Sequence, residues 1–146
     1  MKITHKEMLL EILNKFNRCE VIVGGTSMWP FIRDGDTVSI KGRPFTPSLG
    51  SVVAFFSDEQ FIIHRIIWCD KRANGKWDIL VHGDASPYSI SKINSDQIIG
   101  TIEYVKRQNR KIILLFNDAY RIIAIPFGLM LQLIVALRLN IGGRRV

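Results

Sequence analysis

Cysteine is scarce in this 146-residue chain, which holds only Cys19 and Cys69. Two are too few for a disulfide framework, and they are not spaced as a metal knuckle. The reading is two buried thiols in a reducing compartment, with a single bridge as the alternative. Acidic residues are also short, 13 against 20 Lys and Arg, a formal balance of +7. Such a balance points to nucleic acid, an anionic membrane surface or acidic substrates. The basic residues are scattered, however, as Lys41-Gly42-Arg43, Lys71-Arg72, Lys106-Arg107, Arg110-Lys111 and Arg144-Arg145. No stretch interleaves them with aromatics as a single-strand groove would, which argues against a nucleic-acid partner and for a solvated basic surface. Internal repeats and low-complexity segments are missing too. What is present is an apolar content of 47%, enough to exclude wholesale disorder and to fill the core of one domain.

Charge begins at once with Lys2, His5, Lys6 and Glu7, and Glu11, Asn14 and Lys15 break the apolar residues that follow. No secretory leader or anchor is therefore expected at this end. Met8, Leu9, Ile12, Leu13 and Phe16 fall at helical spacing with the polar residues opposite. That pattern predicts an amphipathic helix over 4–17, with His5 on its surface. From Glu20 the texture changes to short β-branched and aromatic runs punctuated by Gly, Pro, Asp and Asn. Strands are predicted over 20–24, 37–40, 51–56, 61–69, 77–82 and 97–106. Asn74-Gly75 marks a hairpin turn between two of them. The expectation is a mainly β fold, a small folded sheet or barrel. It divides the chain into an N-terminal helix (1–18), a β-rich domain (19–111) and an apolar C-terminal segment (112–146).

That last segment runs apolar from Ile122 to Leu137, interrupted by Pro126, Gly128 and Gln132 and flanked by Arg121 and Arg138. It is shorter than the roughly 20 apolar residues a bilayer span needs. A helix capping the core, an in-plane anchor and a short span all fit. Apolar residues on nearly every side favour membrane contact over a simple amphipathic cap. The expected location follows: membrane-associated through this segment, and otherwise cytoplasmic.

Three stretches carry chemistry. The first is Gly24-Gly25-Thr26-Ser27-Met28-Trp29-Pro30, continuing to Gly35-Asp36. A nucleophilic hydroxyl needs a tight turn whose backbone a carbonyl can approach, with N–H groups nearby for the oxyanion. Gly25, Thr26 and Ser27 could supply that backbone, and Met28, Trp29 and Pro30 a substrate groove. The bland alternative is an ordinary turn, with Trp29 and Phe31 merely packing. The second is His64 inside Phe61-Ile62-Ile63-His64-Arg65-Ile66-Ile67, either a proton acceptor near working pH or a core histidine. The third is His82-Gly83-Asp84, where a turn carboxylate could sit behind an imidazole or close an Asx-turn on its own backbone. His82 is a lesser candidate for the base.

Taken in order, these stretches resemble the type I signal peptidases and the broader LexA-like serine peptidases. Ser27-Met28-Trp29-Pro30 with Gly35-Asp36 is similar to the nucleophile box, His64-Arg65 to the general-base box and Gly83-Asp84 to the last box. Ile98-Ile99-Gly100 resembles the strand that often follows. The likeness covers about 21–105. A histidine at the base position resembles the archaeal and endoplasmic-reticulum kind rather than the lysine-dependent bacterial enzymes. It implies a serine endopeptidase in which Ser27 attacks, His64 is the base and Asp84 orients it, with Gly35, Asp36, Arg65 and Gly83 as structural residues beside the site. Its partner would be a peptide or protein with an extended leader, with no cofactor and no metal. Two departures stand out. The second Asp that such relatives carry after Gly-Asp is replaced by Ser86-Pro87-Tyr88-Ser89-Ile90, with no acid until Asp96. Gly25 stands where many carry a hydroxyl that assists the oxyanion. A non-catalytic binding or assembly module of the same fold is the alternative function. A LexA-like self-cleaving regulator is a third, weakened by the absence of an Ala-Gly or Cys-Gly bond and of room for a DNA-binding domain.

Overall fold

The computed structural model describes residues 4–85, 89–108 and 110–112. Helix α1 (His5–Phe16) starts at Thr4 with a capping box. Thr4 Oγ1 accepts from the Glu7 amide at 3.3 Å, and Glu7 Oε2 accepts from the Thr4 amide at 2.8 Å. This reciprocal pair satisfies two amides that the first turn leaves without partners. The helix stops where Asn17 turns left-handed, with φ 54°, a conformation Asn tolerates well. Leu9 and Leu13 of the expected apolar stripe face the core, whereas Met8 and Phe16 at its edges stay exposed.

Eight strands follow: β1 (Arg18–Ile22), β2 (Thr37–Lys41), β3 (Val52–Ser57), β4 (Gln60–Lys71), β5 (Trp77–His82), β6 (Ser91–Asn94), β7 (Ile98–Arg107) and β8 (Arg110–Ile112). They form one antiparallel sheet in the order β1-β2-β7-β3-β4-β5-β6, with β8 on β7. The protein is mainly β, 48% strand, and the sheet curls into a half-barrel. Register shifts at Ser39/Ile40, Ala54/Phe55 and Ile66/Trp68 are the places where local twist increases and a sheet can bend.

The curl gives the sheet two cores. Val52, Ala54 and Ile63 join Leu13, Met28, Ile32, Val38 and Val105 in one. Val53 and Phe55 join Ile66, Ile79, Val81 and Ile98 in the other. Strand β3 is thus buried on both faces, which is why Val52–Phe55 reads as an unbroken apolar run rather than an alternation. The six predicted strands are present, β5 with the predicted bounds and the others with ends shifted by one or two residues, and Gly75 makes the β4–β5 turn at φ 81°. Strands β6 and β8 were not predicted. Ser91-Lys92-Ile93-Asn94 buries only Ile93, too little apolar signal for a pattern. No disulfide joins Cys19 and Cys69, which are half-buried rather than buried. The predicted C-terminal apolar helix lies outside the described residues. Among the described residues no helix is long and apolar enough to cross a membrane.

Candidate active site

Residues 23–36 form a closed loop between β1 and β2, and its hydrogen bonds explain its shape. Val23 N–H donates to Asp36 O and Gly35 N–H to Val23 O, each at 2.9 Å. Asp34 Oδ1 accepts from the Gly25 amide at 2.9 Å. Asp36, buried, accepts from the Arg33 amide at 2.8 Å and from Arg107 Nε and Nη2 at 2.9 and 2.7 Å. Burial works against the Asp36 charge, but the Arg107 and Arg33 hydrogen bonds outweigh it and hold the carboxyl below its usual range. Gly35, at φ 81°, makes the turn that puts Asp36 there, where a side chain would be strained. Within the loop, Trp29 N–H donates to Thr26 O and Ile32 N–H to Met28 O, both at 3.0 Å. Met28 and Ile32 are buried in the core, so Ser27, between the anchor and the glycines, stays exposed.

Ser27 and His64 line one cleft of about 250 Å³, walled by Ile22, Val23, Gly24, Gly25, Met28, Ile32, Phe61, Ile62 and Ile63. His64 comes from β4, opposite Val53, and its ring meets Phe55 edge-on at 6.0 Å. It is only 8% exposed. Burial first, and then the nearby His82, lower its pKa from 6.5 to about 4, against a small upward pull from Asp84. The imidazole is therefore neutral at neutral pH, the state a proton acceptor needs. No hydrogen bond joins Ser27 to His64 among the described residues. Apo sites of this kind often tighten only around substrate.

The turn after β5 closes the cleft from behind. Ala85 N–H donates to Ser27 O at 2.8 Å. A Cβ built on Gly83 would stand 2.9 Å from Ser27 O, 2.9 Å from Ser89 Oγ and 3.0 Å from His64 Nε2. Only glycine lets the Ser27 loop, the His64 ring and the turn meet there. Ser89 Oγ also accepts from the Gly83 amide at 2.9 Å.

The structure thus brings together Ser27, His64, Gly83, Gly25 and Met28. It does not join Asp84 to the imidazole. Arg65 Nε and Nη2 hold the two Asp84 oxygens at 2.8 and 2.6 Å, while His64 Nδ1, buried, has no hydrogen-bond partner among the described residues. The Gly25 amide, expected to face an oxyanion, is bound to Asp34, which leaves the Ser27 and Thr26 amides for that role. Trp29 and Pro30 are not among the cleft-lining residues, and Trp29 is 51% exposed. Phe31 packs instead, its ring 5.6 Å from the Arg65 guanidinium carbon. His82 is buried opposite Arg65 on β5, and His5 is exposed on α1. Asp96 pairs with Lys76 at 2.7 Å, away from these cleft-lining residues. Sequence reasoning missed Asp34, Arg107 and Ser89, whose roles depend on chain segments meeting across loops. Among the described residues no three His, Cys, Asp or Glu gather as a metal site. No family model and no curated protein matches the chain.

Proposed function

We propose that the protein is a serine endopeptidase of the Ser/His signal-peptidase kind, acting on an extended leader-type peptide. The observation that carries this reading is the cleft shared by the exposed Ser27 and the buried, neutral His64. Motif order and a curled antiparallel sheet support the likeness. In the proposed reaction His64 Nε2 takes the Ser27 Oγ proton as Oγ bonds to the scissile carbonyl carbon. The carbonyl oxygen becomes an oxyanion held by the Ser27 amide. Collapse breaks the C–N bond, and the leaving amine takes the proton from His64. Water, deprotonated by the same imidazole, then releases the acyl group and restores Ser27.

The walls suit an extended chain. Ile22 and Gly24 alternate with Val23, whose amide and carbonyl are used by residues 35 and 36, so their own polar groups point to the outer edge of β1. Across the cleft, β4 pairs with β5 only from Arg65 onward, which leaves an open edge at 60–64 among the described residues. A peptide adding as a strand would find hydrogen-bond partners there. Membrane contact through 122–137 belongs to the same proposal.

The test is cleavage of a leader-peptide library by wild type, Ser27→Ala and His64→Ala, with labelling by a serine-reactive fluorophosphonate. Both activities should be lost in both variants. Unchanged cleavage in the variants would assign it to another site. One observation favours a second reading, a binding module: the imidazole lacks a carboxylate partner among the described residues. Silence of wild type toward both peptide and probe would favour that module.

A further inference from the structure

We infer that Asp84 is a positioning residue that acts through Arg65, so that Ser27 and His64 work as a dyad in which no Asp84 carboxylate orients the base. This rests on the Ser/His reading above. The first ground is strand geometry. His64 and Arg65 are consecutive on β4, and consecutive strand residues project to opposite faces. A carboxylate that grips Arg65 with both oxygens, at 2.8 and 2.6 Å, is committed to the face the imidazole does not occupy. The second is the bonding of His64 itself. Among the described residues its buried Nδ1 has no hydrogen-bond partner, whereas a carboxylate orienter would be found at that atom.

What the pair does follows from its other contacts. Arg65 and Asp84 are 2% and 7% exposed. Arg65 Nη1 donates to Gly50 O at 3.0 Å, and its guanidinium lies against the Phe31 ring of the nucleophile loop. Asp84 sits between Gly83, pressed on His64 Nε2, and Ala85, whose amide holds Ser27 O. Fixing Asp84 by a bidentate, charge-assisted grip fixes residues 83–85. Those residues set the spacing between the main chain of Ser27 and the ring of His64.

The experiment is carried out on the full chain. The ¹⁵N and ¹H imidazole resonances of His64, assigned by difference from His64→Gln, are compared between wild type and Asp84→Asn. The expected result is no strongly deshielded, carboxylate-bound Nδ1 proton in wild type. Such a proton, lost in Asp84→Asn, overturns the inference, and the wild-type spectrum alone decides if the variant does not fold. In parallel, Ser27 labelling rates are measured for Asp84→Asn, Arg65→Gln and the double variant. Two residues acting as one latch give singles slowed on the order of 10–100-fold, as misplacement does, and a double no slower than the worse single. A loss of about 10⁴-fold in Asp84→Asn, as for a triad acid, multiplied by a separate Arg65→Gln loss, overturns it. Absence of Ser27 labelling in wild type would sink the Ser/His reading, while the spectrum still reports on Asp84.

Discussion

Gly83 lies directly against His64: a methyl group on its Cα would stand 3.0 Å from Nε2 and 2.9 Å from the Ser27 carbonyl oxygen. One of those neighbours is backbone and the other a ring packed on Phe55, so neither yields easily. Gly83→Ala should push the imidazole from its place by several tenths of an ångström. Displacement on that scale toward 1 Å costs on the order of 10²-fold in rate. The expected outcome is a kcat/KM on leader peptides reduced by about that factor, with the fold retained as judged by circular dichroism. Full activity in Gly83→Ala would mean that the reacting atoms lie elsewhere.

In the proposed reaction the buried His64 would set the acid limit. With His64 lowered to about 4 by burial and by His82, kcat/KM should rise through pH 4 and stay level to neutrality. His82→Gln removes the second contribution, so the midpoint should move upward. A midpoint at the ordinary value of 6.5 in wild type would mean that His64 is solvated rather than enclosed. A downward move in His82→Gln would reverse the assigned sign of the His82 effect.

Gly100 is a packing requirement of the sheet rather than of the site. A Cβ there would overlap Lys41 O and stand 2.7 Å from Ile40 Cγ2, both on the neighbouring strand β2. Gly100→Ala should destabilise by about 1–3 kcal/mol, as overpacking does, read from denaturant unfolding. Ser27 labelling of the folded fraction should be unchanged. A neutral effect on stability would show that β2 and β7 can separate at this point.

Much of this was legible in the sequence because it depends on local signals. The helical spacing of Leu9, Ile12 and Leu13 marks α1, Asn74-Gly75 marks the β4–β5 turn, and the glycines and Asp34-Gly35-Asp36 mark a loop that must fold tightly. Ser27 and His64 stand out only through the order of their motifs, which resembles the signal peptidases; taken singly they read just as well as a turn serine and a core histidine. What stayed hidden depends on distant segments meeting. Nothing around Arg107 announces that it will clamp Asp36 across 71 residues. Nothing in Gly83-Asp84 says that the carboxylate will choose Arg65 over His64, since both lie on β4 one residue apart and only the strand's facing decides.

Two buried groups predict the acid stability of the fold in separate windows. For His64 the native pKa is about 4 against 6.5 for an unperturbed imidazole. Between these values the unfolded chain binds the proton and the native one does not, so stability falls as pH drops from 6.5 toward 4. Asp36, held below 3.8 chiefly by Arg107 once its burial is offset, stabilises the fold above 3.8. That contribution is lost as pH falls through its lowered native value. Melting followed from pH 7 to 2 should therefore decline in two stages. His64→Gln should flatten the upper stage, because glutamine does not titrate. Asp36→Asn should lower stability at pH 7, by leaving Arg107 without its carboxylate, and flatten the lower stage. If His64→Gln left the slope between pH 6.5 and 4 unchanged, the imidazole would not be the group that resists protonation, and the neutral base of the proposed reaction would have to be sought in His82.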